Sequence, residues 1–307
     1  MGKLYKNDRK GAVALAVLLA ATVMLTAVSG LLLLIEAENE AQRADITKKQ
    51  ITALAEGLMQ ASIERAKQGL PVESYNVPNL KLFPGRVTIS THHAILEYPA
   101  INARRLQISI TDKTEEWCLY QDLLNPPGGR GHEAYSNTLY ARNGVLGDVP
   151  AGIVFADGSA GYTEPDFEVN DYRRCGCMVL PSQTELNDYG LQRRVYFNTL
   201  AGGAYTTSDN ALIKGEGVLV DESGITLGRG CRATDSLWLI SGSSIIIEDD
   251  VQLDKALILA KKNISIGNNV RINGIIICGG RITIGNDFFL NRLEEVLTPF
   301  TSVCYFI

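Results

Sequence analysis

The sequence predicts an α+β protein, mostly β outside the membrane: a long N-terminal transmembrane helix, a β-rich head and a C-terminal three-sided β-helix, or solenoid. Three observations carry this. Residues 11–35 contain no charge. Residues 36–68 are dominated by good helix formers. Beyond Gly224, pairs of apolar residues two apart recur at steps of six to eight. The 307 residues, 46% hydrophobic and 21% charged, suffice for two domains with a core. Twenty-nine glycines and ten prolines exclude collagen-like and low-complexity chains, and six cysteines are too few for a disulfide-built scaffold. The net charge of −5 gives no pointer to nucleic acid, which is not expected as a partner.

The first element is a basic leader, residues 1–11, with Lys3, Lys6, Arg9 and Lys10 against Asp8. The uncharged run follows, bounded by Gly11 and Ile35. As a helix it spans about 38 Å, against a hydrocarbon core of about 30 Å. Basic residues precede it, and Glu36, Glu38 and Glu40 follow. The charge bias puts the N-terminus in the cytoplasm and the body outside a single-pass span. A cleaved secretory signal is the competing expectation; Ala27-Val28-Ser29 offers it a cleavage site, yet the apolar run continues six residues further.

The helix is expected to continue through residues 12–69 and to stop at Gly69-Leu70-Pro71. Beyond the span, Ala44, Ile51, Leu54, Leu58 and Ala61 form its apolar stripe. A signal anchor with a coiled-coil stalk is the plain account, but the stripe lasts under three heptads.

Several residues here resemble the N-terminus of type IV pilins: the leader ending Arg9-Lys10-Gly11, the unbroken apolar helix, Ala37-Glu38-Asn39-Glu40-Ala41, and Ala53-Leu54-Ala55-Glu56-Gly57 leading to Ile63-Glu64-Arg65-Ala66. Among pilins they look most like PilX-like minor pilins and K-type minor pseudopilins of type II secretion. The resemblance covers about residues 9–67. It implies cleavage by prepilin peptidase between Gly11 and Ala12, other pilin subunits as partners of the N-terminal helix, and residence in the cytoplasmic membrane before assembly into a pilus. One departure matters. Most pilins carry glutamate at the fifth mature position, which here is Ala16. A carboxylate in lipid is costly unless paired. Its absence suits a tip or initiation position better than repeated stacking.

Residues 70–204 are expected to form the β-rich head, with strands at 86–90, 94–98 and 106–110. A small antiparallel sheet packed on the outer half of the helix fits, as in pilins; a β-rich head of its own design is the alternative. Gly128-Gly129-Arg130-Gly131 lacks the strand-loop-helix frame of a phosphate cradle and reads as a surface loop. His92 and His93 point to opposite faces of a strand, and His132 lies in a loop, so no metal or cofactor is expected. Cys175 and Cys177 leave alternatives open: a disulfide from one of them to Cys118 or to Cys304, or buried free thiols.

The β-helix is expected over 205–292. Its inward pairs are Ile225 and Leu227, Cys231 and Ala233, Leu237 and Leu239; then Ile245 and Ile247, Val251 and Leu253, Leu257 and Leu259; then Ile264 and Ile266, Val270 and Ile272, Ile276 and Cys278, Ile282 and Ile284, Phe288 and Leu290. All 22 are apolar in a chain that is 46% hydrophobic, which chance does not produce. Earlier pairs are Ala211 with Ile213 and Val218 with Val220. Each unit is a short strand with its first and third side chains inward, and three strands make a rung. Both inward positions are mostly large, so the solenoid resembles the wider β-helix of bactofilins; its hand stays open.

Face one then shows Thr226, Ile246, Ser265 and Thr283 outward, and face two shows Arg232, Gln252, Arg271 and Phe289. Face three shows Trp238, Ile258 and Ile277, a row too apolar to stay wet and hence the candidate interface. The chain's own head, the tail at 303–307 or a partner covers it, with the chain itself the expected cover. Residues 293–307 form the cap and tail, with 292–300 closing the open end of the solenoid. Asp249, Asp250 and Asp254 fall in turns, and no nucleophile–base motif occurs, so no catalytic residue is expected. The expectation is a minor pilin-like structural subunit with its β-helix displayed for assembly, tip or adhesion contacts, a surface or carbohydrate ligand being a candidate partner. A membrane-anchored bactofilin-like envelope scaffold is the alternative, and a surface carbohydrate-active enzyme a distant one.

Overall fold

The structure is a computed structural model and describes residues 5–68, 76–82, 85–98, 103–111, 116–170, 172, 178–179, 190–198, 203–301 and 305–306. Helix α1 (Tyr5–Lys67) runs unbroken for 63 residues, about 95 Å at the usual rise. It starts inside the basic leader, before Gly11. The described side chains from Leu15 to Ile46 are all exposed, so this half packs on none of the described residues.

The other half of α1 lies on an antiparallel sheet. Strands β1 (Asn76–Leu82), β2 (Gly85–Tyr98), β3 (Ala103–Thr111) and β4 (Glu116–Leu124) pair in sequence order. The two strands expected at 86–90 and 94–98 are one, because the register with β3 runs on through His92 and His93. Ile51, Ala55, Met59 and Ile63 pack against Leu106 and Ile108 of β3 and Leu119 and Leu123 of β4. The expected stripe is therefore rotated: Ile51 is central, Leu54 and Leu58 are half-buried flanks, and Ala44 and Ala61 are exposed. Steps of four follow the near-repeat of a straight helix on a flat sheet, whereas a seven-residue repeat belongs to a supercoil. Fully burying each large apolar side chain stabilises the contact by about 1.5–3 kcal/mol.

The remaining strands form the solenoid. They are β5 (Leu139–Ala141), β6 (Val145–Leu146), β7 (Phe155–Asp157), β8 (Met178–Val179), β9 (Arg194–Phe197), β10 (Tyr205–Thr206), β11 (Leu212–Ile213), β12 (Gly217–Asp221), β13 (Ile225–Leu227), β14 (Arg232–Ser241), β15 (Ile245–Ile247), β16 (Gln252–Ala260), β17 (Ile264–Ile266), β18 (Arg271–Cys278), β19 (Ile282–Ile284) and β20 (Phe289–Asn291). All of their pairings are parallel. Short strands stack in the order β10, β13, β15, β17, β19, β6. A second sheet stacks in the order β8, β9, β12, β14, β16, β18, β5, β7, and its long strands β14, β16 and β18 bend to make the other two sides. The stack thus draws on β5 to β9, inside the stretch expected as head. The chain lays down β5 to β7 at one end, crosses to the other, and winds back to meet them.

The capping assignment changes accordingly. Loop 147–154 follows β6 at the end of the stack, and its Val149 and Ile153 pack on the solenoid core. Residues 294–297, a 3-10 turn, lie instead against the long sheet with Val296 and Leu297 buried. The chain then returns to the first sheet: β21 (Phe300–Thr301) and β22 (Tyr305–Phe306) pair antiparallel with β4.

Candidate interaction surfaces

The long sheet of the solenoid is apolar on both faces, and each face has its own partner. Leu237, Ala256 and Gly274 stack inward, as do Leu239, Ile258 and Ile276. Trp238, Leu257 and Ile275 stack outward, followed by Ile240, Leu259 and Ile277. Trp238 and Ile277 thus sit on the outer face as expected, whereas Ile258 belongs to the inner core, and Leu257 and Leu259 face out. The same exchange applies to β12, where Leu219 is inward and Val218 and Val220 are outward.

The reason is a shortening bend. Between the two parts of the long strand the register slips after Ala233 and again after Leu253, one residue being lost per rung. A hexapeptide step carried over that slip lands one residue late. A strand buried on both faces has no polar residue to reveal the error. The tightest point is Gly274, where any Cβ would run into the Ala256 carbonyl oxygen.

The chain itself covers the outer face. Phe167, Val169 and Tyr172 of the crossing segment, Ala134 and Tyr135 of an earlier 3-10 turn, and Val296, Leu297 and Phe300 all join its cluster. Trp238 is only 1% exposed, its ring 6.0 Å from that of Phe300. Arg292 ties tail to turn by donating to the Ser136 carbonyl at 3.0 Å and the Tyr135 carbonyl at 2.8 Å. Two clefts flank this cover. The first, about 360 Å³, lies beside Phe167 under the Arg142–Glu164 ion pair (2.8 Å) and next to Lys261, which meets Glu168 at 3.0 Å. The second, about 300 Å³, is walled by the ion pairs Arg193–Glu216 (3.1 Å) and Lys255–Glu295 (3.2 Å), with Ser236, Thr298, Pro299, Trp238 and Phe300 between them. Neither cleft was legible in the sequence, since each joins residues far apart in the chain. The crossing segment did leave a trace: Glu164-Pro165-Asp166-Phe167-Glu168-Val169 alternates acid and apolar over six residues.

The turn acids serve the backbone. Asp249 Oδ1 accepts from the Asn268 amide at 2.7 Å, Asp250 Oδ1 from Asn269 Nδ2 at 2.8 Å, and Asn268 Oδ1 from the Asn286 amide at 2.9 Å. Asn210, Gly230, Asp250, Asn269 and Asp287 occupy one left-handed position in successive rungs, with φ between 53° and 68°. Asn, Asp and Gly are the residues that tolerate it. Asp254 accepts from Gln252 Nε2 at 3.3 Å.

The other expected site residues are placed as follows. Gly11, Ala12 and Ile35 lie within α1. Cys118 is on β4 opposite Ser109, with Sγ and Oγ 3.3 Å apart, whereas Cys175, Cys177 and Cys304 lie outside the described residues. Cys231 and Cys278 are fully buried in the solenoid, and burial pushes both thiols up to about 11. His132 Nδ1 accepts from the Ala134 amide at 3.2 Å, capping a 3-10 turn. Among the described residues no group of three or more His, Cys, Asp or Glu is placed to hold a metal. The exposed half of α1 is long and apolar enough to cross a membrane.

Compared with known proteins, this chain matches no family model, no curated protein and no solved structure.

Proposed function

We propose that the chain is a minor pilin-like structural subunit of a type IV pilus or related secretion filament. One observation carries this reading. A single helix is bare and apolar over one half and packed on an antiparallel sheet over the other. An apolar surface of that size requires lipid or other helices. The pilin-like residues of the sequence lie along this same helix. On this reading the helix crosses the cytoplasmic membrane with residues 1–11 inside until assembly. It then packs among neighbouring helices, and the solenoid is displayed on the cell surface. Ala16, with no charge to meet a neighbour's amine, favours a tip or initiation position.

On this reading the function is structural, and the engagement of Asp249, Asp250 and Asp254 with the backbone and side chains of the solenoid supports it. A self-associating bactofilin-like scaffold needs open rungs to stack, and loop 147–154 plugs one end of this solenoid. That observation weighs for the filament reading.

The decisive measurement is the N-terminus of the protein from cells with and without an active prepilin peptidase. The expected outcome is Ala12 as first residue only where the peptidase is active. Met1 or Gly2 retained in both strains would leave the helix a plain anchor and favour the scaffold.

A further inference from the structure

We propose that residues 164–170 are a reversible clasp, which lifts off the outer face of the long sheet while the rungs beneath stay wound. The crossing segment is pinned at its start, where Tyr140 Oη donates to the Tyr162 carbonyl at 2.7 Å and the Thr163 amide donates to Glu133 Oε1 at 3.2 Å. Beyond that point its bonding changes. The long strands it crosses share a backbone ladder with their neighbours. Glu164 to Glu168, by contrast, makes no backbone hydrogen bond to any described residue. Lifting it therefore breaks no ladder, and local openings of that kind cost less than unwinding the fold.

Side chains alone hold the segment down. Pro165, Phe167 and Val169 are buried, and Glu164, Asp166 and Glu168 alternate with them on the wetter side. Two cations act as catches, each just past the end of a strand of the long sheet. Arg142 follows β5 and meets Glu164 at 2.8 Å; Lys261 follows β16 and meets Glu168 at 3.0 Å. The same Lys261 ammonium lies 5.4 Å from the centre of the Phe167 ring, so one residue secures both an acid and the main apolar anchor. Partly exposed ion pairs are weak and yield to salt. Packing under the clasp is also incomplete. The cleft of about 360 Å³ lies between residues 163–167 and the sheet residues Leu259, Ala260 and Ile277. Release uncovers Leu259 and Ile277 and leaves Trp238 under Phe300. The inference concerns the solenoid wall and stands whether or not the helix enters a filament.

The test uses the full chain in detergent carrying Leu259→Cys, a thiol placed under the clasp, with Ile277→Cys as a second reporter should the first not fold. Iodoacetamide labelling is followed by peptide mass, and each rate is taken relative to the same thiol in urea. Cys231 and Cys278, which point into the solenoid, report on unwinding in the same molecules. The expected result is that the introduced thiol reacts at least about tenfold faster than those two. Raising salt from about 0.1 M to about 1 M cuts the screening length from about 10 Å to about 3 Å and speeds the introduced thiol about threefold to tenfold, with Cys231 and Cys278 unchanged. Lys261→Met speeds labelling at low salt and removes most of the salt response, and Lys261→Arg restores both. Glu216→Gln, at the other cleft, changes neither. Circular dichroism confirms that each variant is folded. Equal protection of all three thiols overturns the proposal, because the segment then lifts only with unfolding. Fast labelling indifferent to salt and to Lys261→Met overturns it as well, because nothing then clasps the segment.

Discussion

A buried thiol and a turn asparagine show how strongly position governs chemistry in this chain. Cys231 and Cys278 fill inward positions where a neutral thiol behaves as a small hydrophobe. An unfolded thiol ionises near 9.0, whereas these two are held up to about 11 by burial, so the neutral form is favoured by the fold. Their contribution is complete below pH 9 and is lost as pH rises towards 11, about 2–3 kcal/mol per thiol. Urea unfolding at pH 8 and at pH 10.5 should show this fall, and Cys278→Ala should reduce it. A fall identical in the variant would show that the thiol is not its source. Of the left-handed ladder at Asn210, Gly230, Asp250, Asn269 and Asp287, the sequence reading singles out only Asp250 as a turn residue, and the hydrogen bonds from rung to rung need the stack.

At the scale of elements, α1 shows which half of an amphipathic pattern the sequence reveals. That a helix continues beyond the apolar span follows from helix formers alone. Which stripe it buries depends on the sheet it meets, and four-residue steps from Ile51 to Ile63 match β3 and β4. Met59→Ala should cost about 2–5 kcal/mol and release amide protection in β3 and β4, measured by hydrogen exchange. Ala61→Lys, on the exposed side, should stay within about 0.5 kcal/mol. Equal effects of the two would place the packing face elsewhere. In the solenoid, the short strands with an exposed middle residue were assigned correctly: Ile245, Ile264 and Ile282 point in, and Ile246, Ser265 and Thr283 point out. The long strands misled by one residue at Leu257 and Leu259, because β16 reads Ala-Leu-Ile-Leu-Ala and is buried throughout.

For the whole molecule, the outer face of the long sheet is what binds the pieces together. A crossing segment, two 3-10 turns and the tail all converge on it, and the tail then adds strands to the sheet on the helix. Phe167→Ala should therefore destabilise the solenoid by about 3–5 kcal/mol, read from the urea midpoint. Glu168→Gln removes only an exposed partner of Lys261 and should cost under about 1 kcal/mol. If Phe167→Ala proved as mild as Glu168→Gln, the crossing segment would be an ornament and the outer face would need another cover.

By itself the sequence determined the unbroken helix, the solenoid between Gly224 and Leu290, and the split between inward and outward residues wherever one face meets water. These are local properties: a charge-free run, a capping composition and a two-residue alternation each act within a few residues. Tertiary structure alone decided that β5 to β7 complete a stack begun in space by β8 and β9, and that loop 147–154 is a plug. It also decided that Trp238 is covered by its own chain and that Arg193, Glu216, Lys255 and Glu295 share a cleft. The physical reason is common to all of these. Two-residue strands and single charged side chains carry too little local preference to declare a partner. Their positions are fixed by burying apolar surface whose other half lies a hundred or more residues away.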